Sequence, residues 1–276
     1  MKTSKKILLA TASGVFATVL VLTASFRACA ATNSWGGNEI VGNGKIVTKS
    51  TTAANFDNVT VGGLFDVTIN PGTAGNVIVT TDENILPYIN VTTANNGLNV
   101  GIQSGVSLSP SQNNKVTITA QTLHNMSFGG KTIFHAANLN SDHLNLNMGG
   151  KSVGYLQGDI KNLQLSLGGN SELHVTVAND DTINLTMGGK GDVSLAGTVK
   201  SLTITTGGKA TIDAKNLTAD DVTISGAGDS DITVHATKTL SVNTAGRSDI
   251  KYYGNPTVNK NTVGMVTVEK VGDSTN

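Results

Sequence analysis

Apolar and polar residues alternate along most of this chain, and from about residue 123 the alternation recurs at a fixed interval. Five residues alternate, as in residues 163–167, and the glycine pair Gly168–Gly169 follows. Alternation with a period of two gives one buried face, so each such segment predicts a short β-strand. The glycines supply a sharp corner, and a second apolar stretch such as residues 173–177 then begins.

The corners recur at a period near 19 residues. The second glycines stand at 130, 150, 169, 189, 208, 228 and 246, with spacings of 20, 19, 20, 19, 20 and 18. A fixed period marks a stacked array, and this one is too short for a propeller blade or a helix-containing unit. It fits one coil of a parallel β-helix, in which coils stack at about 4.8 Å. An antiparallel sandwich or barrel is the alternative, and the regular corners favour the solenoid.

Stacked coils would align equivalent apolar residues into interior columns. The first predicted column is Leu144, Leu163, Ile183, Leu202, Val222 and Leu240, and the second is Leu146, Leu165, Leu185, Ile204, Ile224 and Val242. Handedness is not encoded in this pattern, and the right-handed crossover is the commoner one. We therefore predict an all-β fold, a single-stranded, right-handed parallel β-helix of about 19 residues per coil.

The flanking segments depart from the period. Asn96-Gly97 before the apolar residues 98–100 indicates a hairpin, so an antiparallel region is expected to close the N-terminal end. The predicted organisation is a signal peptide at 1–30, a linker or first strand at 31–55, and a β-helix domain at 56–270. Within that domain we expect an N-terminal capping part at 56–120, regular coils at 121–250, a C-terminal cap at 251–270, and then a tail at 271–276.

The first 30 residues have the composition of a targeting segment. Lys2, Lys5 and Lys6 precede an apolar run at 7–26, and the small residues around Cys29 suit a cleavage site. A retained membrane anchor is the alternative, since the run is about long enough to span a bilayer. Lipidation of Cys29 is a further alternative, which would tether the protein to a membrane.

Charge and cysteine content narrow the partners. The 19 basic and 19 acidic residues balance, and removal of residues 1–30 takes four basic residues and no acid, leaving a net charge of −4. That balance gives no electrostatic case for nucleic acid. Cys29 is the only cysteine, so no intramolecular disulfide or cysteine-based metal cluster can form.

Several short segments, in a particular order, resemble a known family. They are residues 56–59, residues 63–69, residues 84–86, Gly97-Leu98, the glycine-paired coils and residues 253–256. In this order they resemble the family described as putative auto-transporter adhesin, head GIN domain, over roughly residues 40–270. The resemblance implies a right-handed parallel β-helix in an exported protein, and it carries no catalytic residues to this chain.

Candidate chemistry is sparse. The five histidines form no HExxH motif or two-histidine, one-carboxylate pattern. The segment 188–193 only partly matches the calcium-binding G-G-x-G-x-D repeat. Asp231 and Asp249 share one repeat offset on adjacent coils, which suggests an acidic pair, either catalytic or capping the corner backbone. We expect no enzyme activity, no cofactor and no bound metal.

The position after each glycine pair is predominantly basic. Lys131, Lys151, Lys190, Lys209 and Arg247 would stack into a basic stripe along one edge. Such a stripe suits an anionic glycan or polymer, or it holds solvated residues that discourage edge aggregation. We predict a non-enzymatic exported cell-envelope or surface protein, an adhesin or interaction scaffold, with a glycan or a surface protein as partner. The alternative is a polysaccharide-binding or polysaccharide-processing β-helix, and membrane contact is expected only through Cys29.

Overall fold

The computed structural model describes residues 38–53, 55–72, 75–178 and 180–273. Seventeen strands cover most of them, with one 3-10 turn at Leu86–Tyr88. The strands are β1 (Asn38–Val41), β2 (Ile46–Thr52), β3 (Asn58–Gly63), β4 (Phe65–Pro71), β5 (Asn76–Asp82), β6 (Ile89–Ala94), β7 (Gly97–Ile102), β8 (Val106–Ser109), β9 (Asn114–Ala120), β10 (Asn125–Gly130), β11 (Ile133–Met148), β12 (Val153–Leu167), β13 (Asn170–Val177), β14 (Asp180–Met187), β15 (Lys190–Thr206), β16 (Lys209–Tyr253) and β17 (Thr257–Gly272). In these described ranges no helix is long and apolar enough to cross a membrane. The predicted signal peptide and Cys29 lie outside them.

Parallel pairing joins successive coils from β3 to β17, which confirms the predicted solenoid. Leu144 lies opposite Leu163, and Leu163 lies opposite Ile183. Leu202 and Val222 continue this first interior column, and all five side chains are buried. The second column, two residues further along each strand, pairs in the same register. The core is therefore a set of apolar ladders that runs along the stack of coils.

Each coil has three faces, defined here on the coil that spans residues 144–160. Face A precedes the glycine pair (144–148), face B follows it (153–157), and face C leads into the next coil (158–160). Face A strands pair with face A strands of the neighbouring coil, and face B strands with face B strands. Because side chains alternate along each strand, every face has inward apolar columns and outward polar columns.

The N-terminal end departs from the coil order and adds antiparallel strands to the stack. On face A, β7 pairs with the outer side of β3, and β6 adds an antiparallel strand. On face B, β9 pairs with β4, and then β5 and β2 add antiparallel strands. β1 and β8 form a separate two-stranded parallel sheet. The predicted antiparallel region is thus confirmed, although the β6–β7 turn residues are Asn95 and Asn96, at φ of 50° and 58°. The expected Asn96-Gly97 turn is shifted by one residue, because Gly97 already begins β7.

The second glycines of the corners form a continuous column along the stack. The column runs through Gly63, Gly130, Gly150, Gly169, Gly189, Gly208, Gly228, Gly246 and Gly264. A Cβ on any member from Gly130 onward would lie 2.3–2.6 Å from the carbonyl oxygen of the preceding member. Gly189 has no positive φ, yet its Cβ would still lie 2.4 Å from Gly169 O. Close stacking, as well as turn geometry, therefore requires glycine here.

Core side chains become smaller towards the C-terminal coils. Phe128 stacks on Phe134 with ring centroids 4.1 Å apart, and Gly154 in the next coil leaves room for the Phe134 ring. The position of Phe128 is taken by Thr206 four coils later, and that hydroxyl accepts a bond from Ser230 Oγ at 3.1 Å. The C-terminal coils also bury several small residues: Ala210, Ala214, Ala219, Ala236 and Ser248.

Buried hydroxyls stabilise three of the glycine corners. The second residue after each of these glycine pairs is Ser or Thr, and its hydroxyl donates to the carbonyl of the first glycine. The bonds are Thr132 Oγ1 to Gly129 O (2.7 Å), Ser152 Oγ to Gly149 O (2.7 Å) and Ser171 Oγ to Gly168 O (2.8 Å). A corner carbonyl that turns away from the ladder thereby keeps a hydrogen-bond partner.

Candidate functional site

The predicted basic stripe follows the glycine column on the edge between faces A and B. Lys190 lies opposite Lys209, and Asn170 lies opposite Lys190 in the preceding coil. Lys131 N and Lys151 N donate to the second glycines of their preceding coils, at 2.8 and 2.7 Å. The positions are therefore equivalent in successive coils. We call this set the basic column: Lys131, Lys151, Lys190, Lys209 and Arg247, with Asn170 and Asp229 at two intervening positions.

The cations of the basic column differ from most other lysines in their surroundings. Seven lysines form ion pairs with carboxylates: Lys45, Lys161, Lys200, Lys215, Lys238, Lys251 and Lys270. Within the part of the chain that the structure describes, no carboxylate lies within 4.0 Å of a basic-column cation. All five are exposed. Their positive field is therefore available to an external anion.

The residues that neighbour these cations on face B differ between the first two regular coils and the later ones. The residues two positions after Lys131 and Lys151 are Ile133 and Val153. Most later coils carry an acid at this position, such as Glu172 and Asp192, and one carries Thr211. Residues two apart on a strand lie about 7 Å from each other. In the first two regular coils the cations therefore stand beside apolar residues rather than acids.

Asp231 and Asp249 occupy equivalent face B positions in adjacent coils of β16. Asp249 accepts a hydrogen bond from Thr267 Oγ1 at 2.5 Å, and Lys251 Nζ lies 2.9 Å from it. The bond from Thr267, reinforced by Lys251, lowers the pKa of Asp249. A general acid for glycoside cleavage needs a raised pKa instead. Asp249 is thus a charged surface acceptor whose partners are the Thr267 hydroxyl and the Lys251 ammonium, not backbone N–H groups of the corner.

Outward amides of face A form a short ladder. Asn145 Nδ2 donates to Asn125 Oδ1 at 2.9 Å, and Asn125 Nδ2 donates to Asn58 Oδ1 at 2.5 Å. The amides therefore satisfy one another from coil to coil, which stabilises the stack. Among the described residues, no group of three or more His, Cys, Asp or Glu is arranged to hold a metal ion.

Sequence reasoning missed an aromatic stack on the outward side of face B. The rings of His135 and Tyr155 are 4.8 Å apart and nearly parallel, at 1°. Tyr155 and His174 follow at 5.0 Å and 10°. The signal in the sequence is the shared repeat offset of His135 and His174, since Tyr155 stands at the same offset in the coil between them. This stack, which we call the aromatic column, is half-exposed, with Tyr155 42% accessible.

The fold defines the class of this protein: it is a parallel β-solenoid of stacked coils with glycine corners and antiparallel strands at its N-terminal end. Over residues 55–256 its sequence matches the family described as putative auto-transporter adhesin, head GIN domain, and the chain belongs to that family. The family description names adhesion rather than a reaction. Among curated proteins, none is significantly similar to this chain.

Solved structures share the fold. A putative adhesin from Parabacteroides distasonis ATCC 8503 superposes with a TM-score of 0.79 at 22% identity, covering 85% of this chain and 100% of that chain. A putative adhesin from Parabacteroides merdae ATCC 43184 gives a TM-score of 0.75 at 23% identity, covering 85% and 99%. A putative lipid binding protein from Parabacteroides distasonis ATCC 8503 gives 0.73 at 23% identity, covering 85% and 100%. At these identities the likeness establishes the fold alone.

Proposed function

We propose that this chain is a non-enzymatic interaction scaffold of the cell envelope or cell surface, and that its basic column binds an anionic glycan. The observation that carries the proposal is the stacking of five exposed cations, without carboxylate partners among the described residues, along one edge. From Lys131 to Arg247 the column spans six coil steps, about 30 Å at 4.8 Å per step. A linear polyanion that follows the coil axis can contact several of these charges at once.

The alternative function, polysaccharide processing, has less support. Asp249 has a lowered pKa and two hydrogen-bonding neighbours, which suits a structural acceptor rather than a proton donor. Two carboxyl groups of opposed protonation state are the usual requirement for glycoside cleavage. The family description as an adhesin also supports binding over catalysis.

One structural neighbour is described as a putative lipid binding protein, so lipid binding is the alternative from which glycan binding must be distinguished. The interior is filled by ladders of buried side chains, and the hollows near Asp57 and near His174 measure only about 200 and 210 Å³. Ligand pockets for larger molecules usually measure about 300–1,000 Å³. Neither of these two hollows is large enough for acyl chains, so in this proposal a lipid would bind through its anionic headgroup at the basic column.

Binding to a uronic-acid polymer, with anionic lipid vesicles as the contrast, tests the proposal. In one variant the four lysines of the basic column become alanine. In the matched control four ion-paired lysines, Lys161, Lys200, Lys215 and Lys238, become alanine, so the net charge changes equally. We expect polymer binding by the unmodified protein, a loss of ~10-fold or more in the basic-column variant, and a smaller loss in the control. Added salt should weaken the binding.

Two results would contradict the proposal. Equal losses in the two variants would show that net charge, not the column, attracts the polymer. Binding to anionic vesicles but not to the polymer would assign the column to a lipid surface instead.

Export is part of the same proposal, and the intact mass of the protein recovered from the envelope tests it. A chain that begins after residue 30 supports a cleaved signal peptide, and a lipid on Cys29 supports a membrane-tethered form.

A further inference from the structure

A hollow lies directly beside the aromatic column, on face B, and it is separate from the basic column. It measures about 210 Å³ and is lined by His174 and Ser194. One face of the His174 ring stacks on Tyr155, so the other face is turned towards the next coil, where Ser194 lies. The hollow exists because the face B position after His174 is held by Ser194, a small residue, and the one after that by Asp213. The pairing of β15 with β16 shifts register between Ser194 and Ala196, two residues that line the hollow.

The wall and the rim of this hollow have different chemistry. One wall is the flat face of the His174 imidazole, which Glu172 Oε1 orients through a 2.9 Å bond to Nε2. The opposite rim carries Asp213, whose Oδ2 lies 3.2 Å from Lys215 Nζ and whose Oδ1 accepts the Lys215 backbone N–H at 3.2 Å. The remaining polar lining groups are the Thr176 and Ser194 hydroxyls and the Asn216 amide. A ring face opposite a row of hydrogen-bonding groups is an arrangement for a ligand with one apolar face and several hydroxyls.

The spacing of the aromatic column indicates where the ring of such a ligand lies. His135, Tyr155 and His174 are stacked at steps of 4.8 and 5.0 Å. A ring placed over Ser194 would continue the stack at about the same step, because successive coils rise by about 4.8 Å. Asp213, one coil further on, would then face the hydroxyl groups at the ligand edge. A carboxylate can accept hydrogen bonds from two neighbouring hydroxyls.

We propose that this hollow binds a single pyranose unit of a carbohydrate, stacked on His174 and hydrogen-bonded to Asp213 and Asn216. The inference goes beyond the proposed function, since a neutral sugar needs none of the basic-column cations. Asn170, the basic-column residue of the same coil, is four residues from His174 on β13. The distance along the strand is therefore about 13 Å, and one acidic oligosaccharide can contact both sites.

Titration with neutral methyl pyranosides (glucoside, galactoside and mannoside) tests this site, with ¹H–¹⁵N and imidazole NMR signals as the readout. Measurements in high salt screen the basic column, and the four-alanine basic-column variant should bind the pyranoside normally. For at least one sugar we expect weak, saturable shifts at His174, Ser194 and Asp213. In Ser194→Tyr a fourth ring fills the hollow and abolishes the shifts. Asp213→Asn should weaken binding ~10-fold, as expected when a charged acceptor is lost.

Ser166→Tyr is the matched control, since it places the same ring on an outward position of face A and should bind as the unmodified protein does. The proposal is overturned if no pyranoside shifts these signals, or if Ser194→Tyr binds as well as Ser166→Tyr. Loss of polymer binding in the basic-column variant with pyranoside binding intact would separate the two proposals. Pyranoside binding without any polymer binding would retain this site and remove the anionic-glycan function.

Discussion

Lys260 Nζ donates a hydrogen bond of 3.0 Å to Val268 O across the C-terminal end of the coil stack. Lys260 holds the position that Val242 fills in the preceding coil, and Val268 holds that of Ile250. Val242 and Ile250 are both fully buried. A charged residue thus ends an apolar column where, among the described strands, β17 pairs only with β16. An inward-pointing lysine of this kind hinders edge-to-edge association.

Replacement of Lys260 by leucine should promote self-association. The variant would extend the apolar column to the surface, beside the exposed Val263 and Met265, and would create a larger apolar patch at an unpaired edge. Sedimentation velocity over a range of concentrations should show dimers or larger species. Lys238→Leu is the matched control, since Lys238 is paired with Asp220 on the side of the coils. If both variants associate equally, the end of the stack has no special protection.

The glycine column predicts that alanine substitutions at two adjacent glycines have different effects on the stability of the fold. Gly189→Ala should lower the free energy of unfolding by about 1–3 kcal/mol, as overpacking does, because the new Cβ meets Gly169 O at 2.4 Å. Gly188→Ala should be neutral or slightly stabilising, since nothing lies within 4 Å of its Cβ. Neither residue has a positive φ, so the pair isolates coil stacking from turn geometry. Urea denaturation measures both, and similar midpoints would argue against the steric role of the column.

Asp180 predicts a pH-dependent stability. Its side chain is buried on face C, where Oδ1 accepts the Ile160 N–H at 3.1 Å and Oδ2 has no partner among the described residues. Burial raises its pKa from 3.8 to about 6. The protonated carboxyl therefore stabilises the fold fully below about pH 4, and this contribution is lost as the pH rises through about 6.

Asp180→Asn should accordingly stabilise the protein near neutral pH and above. We expect a gain of about 1–3 kcal/mol at about pH 8, where a buried carboxylate oxygen would otherwise lack a partner. The gain should shrink to nearly zero at about pH 4. Thermal unfolding of both proteins across this range measures the difference. A gain that does not vary with pH would show that the charge of Asp180 is not the cause.

Removal of one corner hydroxyl should lower the free energy of unfolding by about 1–3 kcal/mol. Ser152→Ala leaves Gly149 O without the 2.7 Å bond from Ser152 Oγ, in a buried corner. Ser166→Ala, on an outward position of face A, should change stability little. Chemical denaturation compares the two variants, and equal midpoints would mean that solvent replaces the missing donor.

The coil architecture could be predicted because its determinants repeat. Alternation and the glycine period fix the strands, and the in-register columns from Leu144 to Val222 follow directly. The β6–β7 hairpin was predicted one residue late, because Asn95 also accepts a positive φ. The placement of β9 between β4 and β5 was not predicted, because non-consecutive pairing has no local pattern.

The aromatic column and the buried Asp180 could not be inferred in the same way. Tyr155 differs in type from His135 and His174, so a search by residue type does not connect them. Asp180 stands at a face C position beside other acids, and the sequence around it resembles that of a solvated turn. Both sites depend on the side of the strand to which a residue points and on the side chains that the adjacent coil places next to it. These two properties arise from the stacking of coils.

The glycine column also constrains how such a protein can lengthen or shorten during evolution. Gain or loss of one complete unit keeps each second glycine over the carbonyl of another, so the remaining coils still stack. An insertion of one residue between two corners must bulge outward at a loop, since otherwise a side chain meets that carbonyl. The length of the solenoid therefore changes in whole-coil steps, and each step moves the charges and ring faces of the edge by one fixed increment of about 4.8 Å.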